Sequence, residues 1–255
     1  MKKILIPMIV VVLGLLLLVA CGNSGDTAPV KKSVAETQKA VAPADSGTPT
    51  KTVEQEVTEP SSVQKPRVPE KAPAGTEPVA ILQTKYGDIE VAFYPHKAPN
   101  TVKNFIELCR SGFYNGTRFH RIIPGFMIQG GDPNTKSGPE WTWGQGGHTD
   151  AAGREITVKA EFNDIHHARG IVSMARAADP DSASSQFFIC VADAGQLDHK
   201  YTAFGRVIKG MDVVDKIVHA PTVGGEKDRE HSRPKRPVAV ISAKIEYRPI
   251  KKAVR

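Results

Sequence analysis

The chain has 255 residues, with 34 Lys and Arg against 27 Asp and Glu, and a formal net charge of +7. That excess would suit a nucleic-acid binder only if it lay on the folded part. Residues 78–225, however, carry 15 basic and 15 acidic side chains, whereas residues 226–255 carry 10 against 4. Nucleic acid is therefore excluded as a partner. The terminal run with Arg233, Lys235, Arg236, Lys251 and Lys252 reads as a solvated tail, better matched to an anionic lipid surface than to DNA or RNA.

The chain opens with Lys2 and Lys3 followed by an apolar run from Ile4 to Ala20, the form of a secretory signal over residues 1–20. The run ends Leu18, Val19, Ala20, Cys21, which resembles the lipobox of bacterial lipoproteins, where the cysteine is lipidated and becomes the new N-terminus. An uncleaved anchor is the alternative, because a run of about 17 apolar residues reaches the lower limit for a membrane span. The cysteine directly after the run favours the lipoprotein. Either way the remainder is expected to be exported and tethered in a bacterial envelope, at the outer membrane or the outer face of the cytoplasmic membrane. Residues 21–77 follow, with Pro29, Pro43, Pro49, Pro60, Pro66, Pro69 and Pro73 and no aromatic side chain. Such a segment buries too little to offset its ordering entropy and is expected to be a disordered linker reaching on the order of 40 Å.

Residues 78–248 carry the expected folded domain, and 249–255 a basic tail. Alternation predicts strands over 79–84 and 89–94 around a turn at Tyr86, Gly87 and Asp88. Pro99 opens a helix in which Val102, Phe105, Ile106 and Cys109 keep helical spacing, and Ser111 and Gly112 close it. Short strands are then expected over 118–123, 126–129, 170–174, 186–191 and 203–207, a helix over 211–218, and a last strand over 238–247. Many short strands separated by turns predict an all-β fold with two helices, closed as an antiparallel barrel. Cys109 and Cys190 each sit in an apolar pattern and read as two separate core thiols, although an exported chain would permit a disulfide. The Gly-rich stretch WTWGQGGHTD at 141–150 is either a functional connection or a surface loop anchored by two tryptophans.

One segment resists a purely structural account. In RFHRIIPGFMIQGGD, residues 118–132, an apolar strand pair is interrupted by Arg121 and Gln129, and buried charge is costly unless it is paired. Residues 119–132 resemble the signature of the cyclophilins, the peptidyl-prolyl cis–trans isomerases. GIVSMAR at 170–176, SSQFFI at 184–189, Leu197 with Asp198, and Phe204 with Gly205 match further motifs of that family in order. The resemblance implies an eight-stranded barrel capped by two helices, a proline-containing polypeptide as substrate, a monomer and no cofactor. Carried over by position, it makes Arg121 catalytic. It makes Phe126, Met127, Phe188 and Leu197 the proline pocket and Tyr201 an aromatic wall at its rim. Gln129, Gln186 and the backbone of Ala175, Arg176 and Ala177 would hold the peptide. Met127 and Gln129 also share a strand face by alternation alone.

Three positions depart from the better-known members. Gln196 stands where they carry Trp, which puts cyclosporin binding in doubt because an indole donor and a flat face are lost. Tyr201 stands where many carry His, and Arg176 replaces a common Asn at a position used through its backbone. The histidines 120, 148, 166, 167 and 199 do not fall at metal-ligand spacing, and His166 with His167 reads as a turn feature. Ser184 and Ser185 lack the elbow of a nucleophile. The expected activity is isomerisation of X-Pro bonds, assisting the folding of exported proteins. A proline-peptide binding module and an envelope spacer are the rivals, and binding alone would not require Arg121.

Overall fold

A computed structural model describes residues 72–225 and 228–250. The expected signal, Cys21, nearly all of the expected linker and residues 251–255 of the tail lie outside the described residues. Among the described residues, no helix is long and apolar enough to cross a membrane.

Strand β1 (Thr76–Thr84) turns into β2 (Gly87–Phe93), and α1 (Pro99–Arg110) follows. Thr76 and Glu77, expected in the linker, are strand because Pro249 and Arg248 of the last strand pair with them. Helix α1 buries Thr101, Val102, Phe105, Leu108 and Cys109, a stripe at helical spacing. Pro99 suits its first turn, where no intrahelical acceptor exists for an N–H. The next two backbone N–H groups, of Asn100 and Thr101, donate to the Glu161 carboxylate at 3.0 and 2.8 Å. A carboxylate there also complements the positive end of the helix dipole.

The remaining elements are β3 (Arg121–Ile123), β4 (Met127–Gly130), β5 (Ile171–Met174), β6 (Phe187–Cys190), β7 (Ala203–Lys209), α2 (Met211–Val218), β8 (Thr222–Gly225), β9 (Asp228–Pro234) and β10 (Ser242–Pro249). Gly210 begins α2 with φ of 92°, a left-handed conformation that glycine adopts without steric cost. Eight strands form one sheet in the order β10-β1-β2-β7-β5-β6-β4-β3, and every pairing is antiparallel.

The expected barrel is not closed strand to strand. β10 and β3 stand at the two ends of the order without a ladder between them. Backbone bonds occupy that seam: Gly116 N–H to Val240 O at 2.8 Å, Val240 N–H to Thr117 O at 2.8 Å, and Phe119 N–H to Val238 O at 3.0 Å. They explain why the strands expected over 118–123 and 238–247 are shorter than their apolar patterns. Val238 and Val240 are buried, but their main chain serves the seam, and the ladder starts only at Ser242.

β8 and β9 form a separate hairpin that the sequence did not announce. Arg233, read as part of a solvated tail, lies in β9 and pairs with Glu140 at 2.8 Å. The main core lies on one side of the sheet under α1 and α2, where Phe105 meets Phe204 at 5.0 Å and Phe187 edge-on at 5.3 Å between centroids. Cys109 belongs to this core, whereas Cys190 belongs to a second cluster, and both thiols are free and buried. Burial drives both thiol pKa values up, that of Cys190 to about 12.

Candidate active site

Successive strand residues point to opposite faces of a sheet. In β4 and β6 this sends Ile128, Phe187 and Ile189 into the main core. It leaves Met127, Phe188 and Cys190 on the opposite face as a smaller apolar cluster, against which Ile123, Phe126, Ala175, Leu197 and Tyr201 pack. Register then aligns the functional candidates. Arg121 on β3 is opposite Gln129 on β4, Gln129 is opposite Phe188 on β6, and Phe188 is opposite Ser173 on β5. One row across four strands thus carries the charge, the amide and the aromatic floor.

A cavity of about 240 Å³ opens over this row, lined by Arg121, Phe126, Met127, Gln129, Ala175, Arg176, Phe188, Leu197 and Tyr201. A second cavity of about 240 Å³ adjoins it, sharing Gln129, Ala175 and Arg176 and adding Ala177 and Gln186. Every site residue expected within the folded domain therefore lies in one of two connected recesses. Gln129 Nε2 donates to Gln186 Oε1 at 2.9 Å, and Gln186 Nε2 donates to Gly146 O at 2.8 Å. That chain ties the 141–150 loop to the groove. Asp132 holds the same loop by accepting from Gly144 N–H, and Trp143 Nε1 donates to Gly138 O at 3.0 Å. Trp143 is the anchor; Trp141 is 75% exposed.

Phe188 is 4% exposed, with the Tyr201 ring edge-on at 5.7 Å and the His167 ring stacked behind it at 6.1 Å. His167 is positioned by Asp198 Oδ1 at 2.9 Å from Nδ1 and by Ser173 Oγ at 3.1 Å from Nε2. Burial holds His167 below its ordinary pKa, so Nδ1–H donates to the carboxylate and the neutral Nε2 accepts from the hydroxyl. The neighbouring His166 bridges Asp198 at 2.7 Å and Asp193 at 2.5 Å. Hydrogen bonds to those carboxylates raise the pKa of His166 and hold Asp198 well below the usual carboxylate range. Asp193 and Asp198 flank the turn Gly195–Leu197, which supplies the pocket leucine. The histidine pair is thus a brace for the pocket rather than a simple turn feature. Among the described residues, no group of His, Cys, Asp and Glu is placed to hold a metal ion.

Arg176 does more than its backbone role required. Its guanidinium lies over the Tyr201 ring at 4.8 Å and donates to Lys200 O from Nε at 3.1 Å and Nη2 at 3.0 Å. Arg121 has a partner that no motif announced: Nε donates to Glu230 Oε2 at 2.8 Å and Nη2 to Glu230 Oε1 at 3.0 Å. Glu230 sits in the polar run of β9, where neither apolar periodicity nor spacing marks it. Asp198 did carry a signal, as the residue after the pocket leucine in a recognised motif, but its work in bracing two histidines is visible only in three dimensions.

A family model for "Cyclophilin type peptidyl-prolyl cis-trans isomerase/CLD" matches residues 79–245. The chain belongs to the cyclophilin-type peptidyl-prolyl cis–trans isomerases. Its activity is accordingly peptidyl-prolyl isomerisation. It is 44% identical over 170 residues to a peptidyl-prolyl cis-trans isomerase of Acinetobacter baylyi, covering 64% of this chain and 83% of that one. It is 43% identical over 180 residues to peptidyl-prolyl cis-trans isomerase A of Dickeya dadantii, covering 68% and 86%. Among solved structures, the cyclophilin-type isomerase of Cryptosporidium parvum, in the presence of the dipeptide Ala-Pro, is similar at TM-score 0.56 and 32% identity, over 66% of this chain and 98% of that one. The matched segment of this isomerase contains the whole of the row from Arg121 to Ser173.

Proposed function

We propose that this isomerase acts on X-Pro bonds of exported polypeptides, with Arg121 as the catalytic residue and the Phe126, Met127, Phe188, Leu197 and Tyr201 recess as the proline pocket. The observation that carries this reading is the placement of the guanidinium. Nη1 of Arg121 lies 3.8 Å from Met127 Sδ, at the wall of a cavity whose apolar side is made by Phe126, Met127, Phe188 and Leu197.

No bond is broken in this reaction. A prolyl amide must rotate over a barrier of ~18–20 kcal/mol set by its resonance. In the twisted form the nitrogen regains a lone pair and the carbonyl loses conjugation. A fixed cation beside either group favours that form over both planar ones, and arginine keeps its charge at all working pH values. Arg121 reaches either the prolyl nitrogen or the prolyl carbonyl from the cavity wall. The apolar ring site excludes water, so each donated hydrogen bond counts for more. Gln129, Gln186 and the backbone of Ala175, Arg176 and Ala177 hold the flanking peptide in an extended form. The Ala-Pro dipeptide of the Cryptosporidium parvum structure supports a proline-peptide ligand for this groove.

The same proposal includes the setting. The domain of residues 78–248 is a monomer whose sheet closes as a barrel through the seam between residues 116–119 and 238–240. It is tethered by a lipid on Cys21 through the linker of residues 21–77, and the sequence pattern ending at Cys21 supports this. Slow uncatalysed prolyl isomerisation limits folding over tens of seconds or more, so an enzyme held at the membrane meets chains as they emerge. The test is an isomerisation assay on an Ala-Pro peptide with the full chain in detergent, wild type beside Arg121→Ala. The variant is expected to lose at least about tenfold, equivalent to about 1.4 kcal/mol of transition-state stabilisation. A folded variant with wild-type turnover overturns the role of Arg121.

A further inference from the structure

We propose that Glu230 is a positioning residue for Arg121, and that the β8–β9 hairpin exists at the groove to present it; this rests on the catalytic reading of Arg121. The two Glu230 oxygens meet Nε and Nη2 of Arg121 at 2.8 and 3.0 Å, a two-point contact between a planar guanidinium and a planar carboxylate. Such a contact fixes the plane of the cation as well as its distance. It also consumes donors selectively. Of five N–H groups, Glu230 takes the one on Nε and one on Nη2, the edge turned away from the proline pocket. Nη1 stays on the pocket side, where one N–H donates to Met127 Sδ at 3.8 Å, a weak acceptor that a substrate nitrogen or oxygen can displace.

The hairpin is built to hold Glu230 there. Three residues on, Arg233 pairs with Glu140 at 2.8 Å and is in register with Val223, so β9 is fastened both to the 3-10 turn Glu140–Thr142 and to β8. Between these two ion pairs the backbone is strained. His231 has φ of 52°, in the left-handed region that a side chain with a Cβ rarely occupies. A single left-handed residue breaks strand alternation and re-aims its neighbours. Here it separates Glu230, directed at Arg121, from Ser232, which is buried. Strain kept at one residue beside a functional group is the pattern of a device that orients that group.

A carboxylate could instead weaken Arg121 by neutralising it. Two features decide against that. Glu230 is 56% exposed and does not line the proline recess, so solvent screens its through-space effect, whereas Nη1 faces the recess from which a bound ring displaces water. The geometric effect is not screened. A long side chain already ordered before substrate arrives does not have to be ordered in the transition state.

The test uses the full chain with Glu230→Ala, Glu230→Gln and Arg121→Ala, singly and as the double variant. Glu230→Ala is expected to lower kcat/KM about fivefold, equivalent to about 1 kcal/mol, through kcat with KM nearly unchanged. Glu230→Gln, which keeps an acceptor, is expected to recover part of the loss. In the Arg121→Ala background, Glu230→Ala is expected to have no further effect. Independently of turnover, the Arg121 Nε–Hε signal of 15N-labelled protein is expected to exchange slowly with water in the wild type and to broaden in Glu230→Ala. A Glu230→Ala enzyme as fast as wild type overturns the proposal, and a faster one shows a brake instead. A loss that persists in the Arg121→Ala background also overturns it. If Arg121→Ala keeps wild-type turnover, the reading of Arg121 fails first, and the proposal falls with it; a fully active Glu230→Ala beside an inactive Arg121→Ala sinks the proposal alone.

Discussion

Phe126→Ala separates grip on the proline ring from catalysis. Phe126 follows Pro124 and Gly125 at the tip of the β3–β4 hairpin, packs against the Met127 and Phe188 cluster, and is only partly buried. Its main chain is fixed independently of the ring: its N–H donates to Ile123 O at 3.0 Å and its carbonyl accepts from Val191 N–H at 2.9 Å. Removing the ring therefore deletes one pocket wall and leaves the hairpin in place. A buried aromatic side chain covers ~150–250 Å² in all. The single face available to a proline ring is roughly a quarter of that, ~50 Å². At ~25 cal/mol per Å² this is about 1.2 kcal/mol, or roughly eightfold. The ring is gripped alike in cis, trans and twisted forms, so the loss belongs in KM. Isomerisation of an Ala-Pro peptide, followed over a range of substrate concentrations, is expected to show KM raised about eightfold and kcat within twofold. A fall in kcat at constant KM would refute the reasoning, because Phe126 would then be acting on the twisted amide alone.

Other predictions follow from the brace, the rim and the anchor. Hydrogen bonds to Asp198 and Asp193 raise the His166 pKa above its ordinary 6.5, so its stabilising contribution is complete below pH 6.5 and is lost as pH rises through the raised value. The depressed Asp198 contributes above its ordinary 3.8 and loses that contribution only as pH falls through its lower folded value. Thermal unfolding is therefore expected to show the gap between wild type and His166→Gln widest at pH 5–6 and narrowing above pH 7; a gap independent of pH would discard the brace. Gln196 is exposed beside Leu197 and offers neither an aromatic face nor an indole N–H, so cyclosporin is expected to bind weakly and Gln196→Trp to tighten it. Nanomolar inhibition of the unmodified enzyme would contradict that. Cys21→Ser is expected to abolish lipid attachment, read by mass and by fractionation. Wild type recovered without lipid would remove the anchor and leave the isomerase intact.

The groove was legible because its information is local. Alternation in β4 and β6 assigns faces without knowing the neighbours, and the motifs place Arg121, Gln129 and Phe188 in the order of adjacent strands, with Leu197 on the turn beside them. What escaped reading depends on partners far along the chain. The N-terminus of α1 is capped by Glu161, roughly 60 residues away. The β8–β9 hairpin has no apolar alternation, and ion pairs to Arg121 and Glu140 tie it in place. The apolar pattern starts the last strand at Val238, whereas β10 starts at Ser242, because the backbone of Val238 and Val240 bonds to Gly116, Thr117 and Phe119. Apolar spacing reports where side chains go and is silent about where main-chain hydrogen bonds go.

The alternation of β6 has a consequence for how the isomerase can change over time. Phe187 and Ile189 belong to the main core, whereas Phe188 and Cys190 belong to the smaller cluster on the opposite face, where Phe188 lines the recess. A four-residue strand thus answers to two selective demands that switch at every step. On the proposed function, substitutions at 187 and 189 act through how much folded protein survives, and those at 188 act also through what the survivors can bind. Drift in substrate preference is consequently confined to every second position, with each permissible step hemmed in on both sides by residues that cannot move.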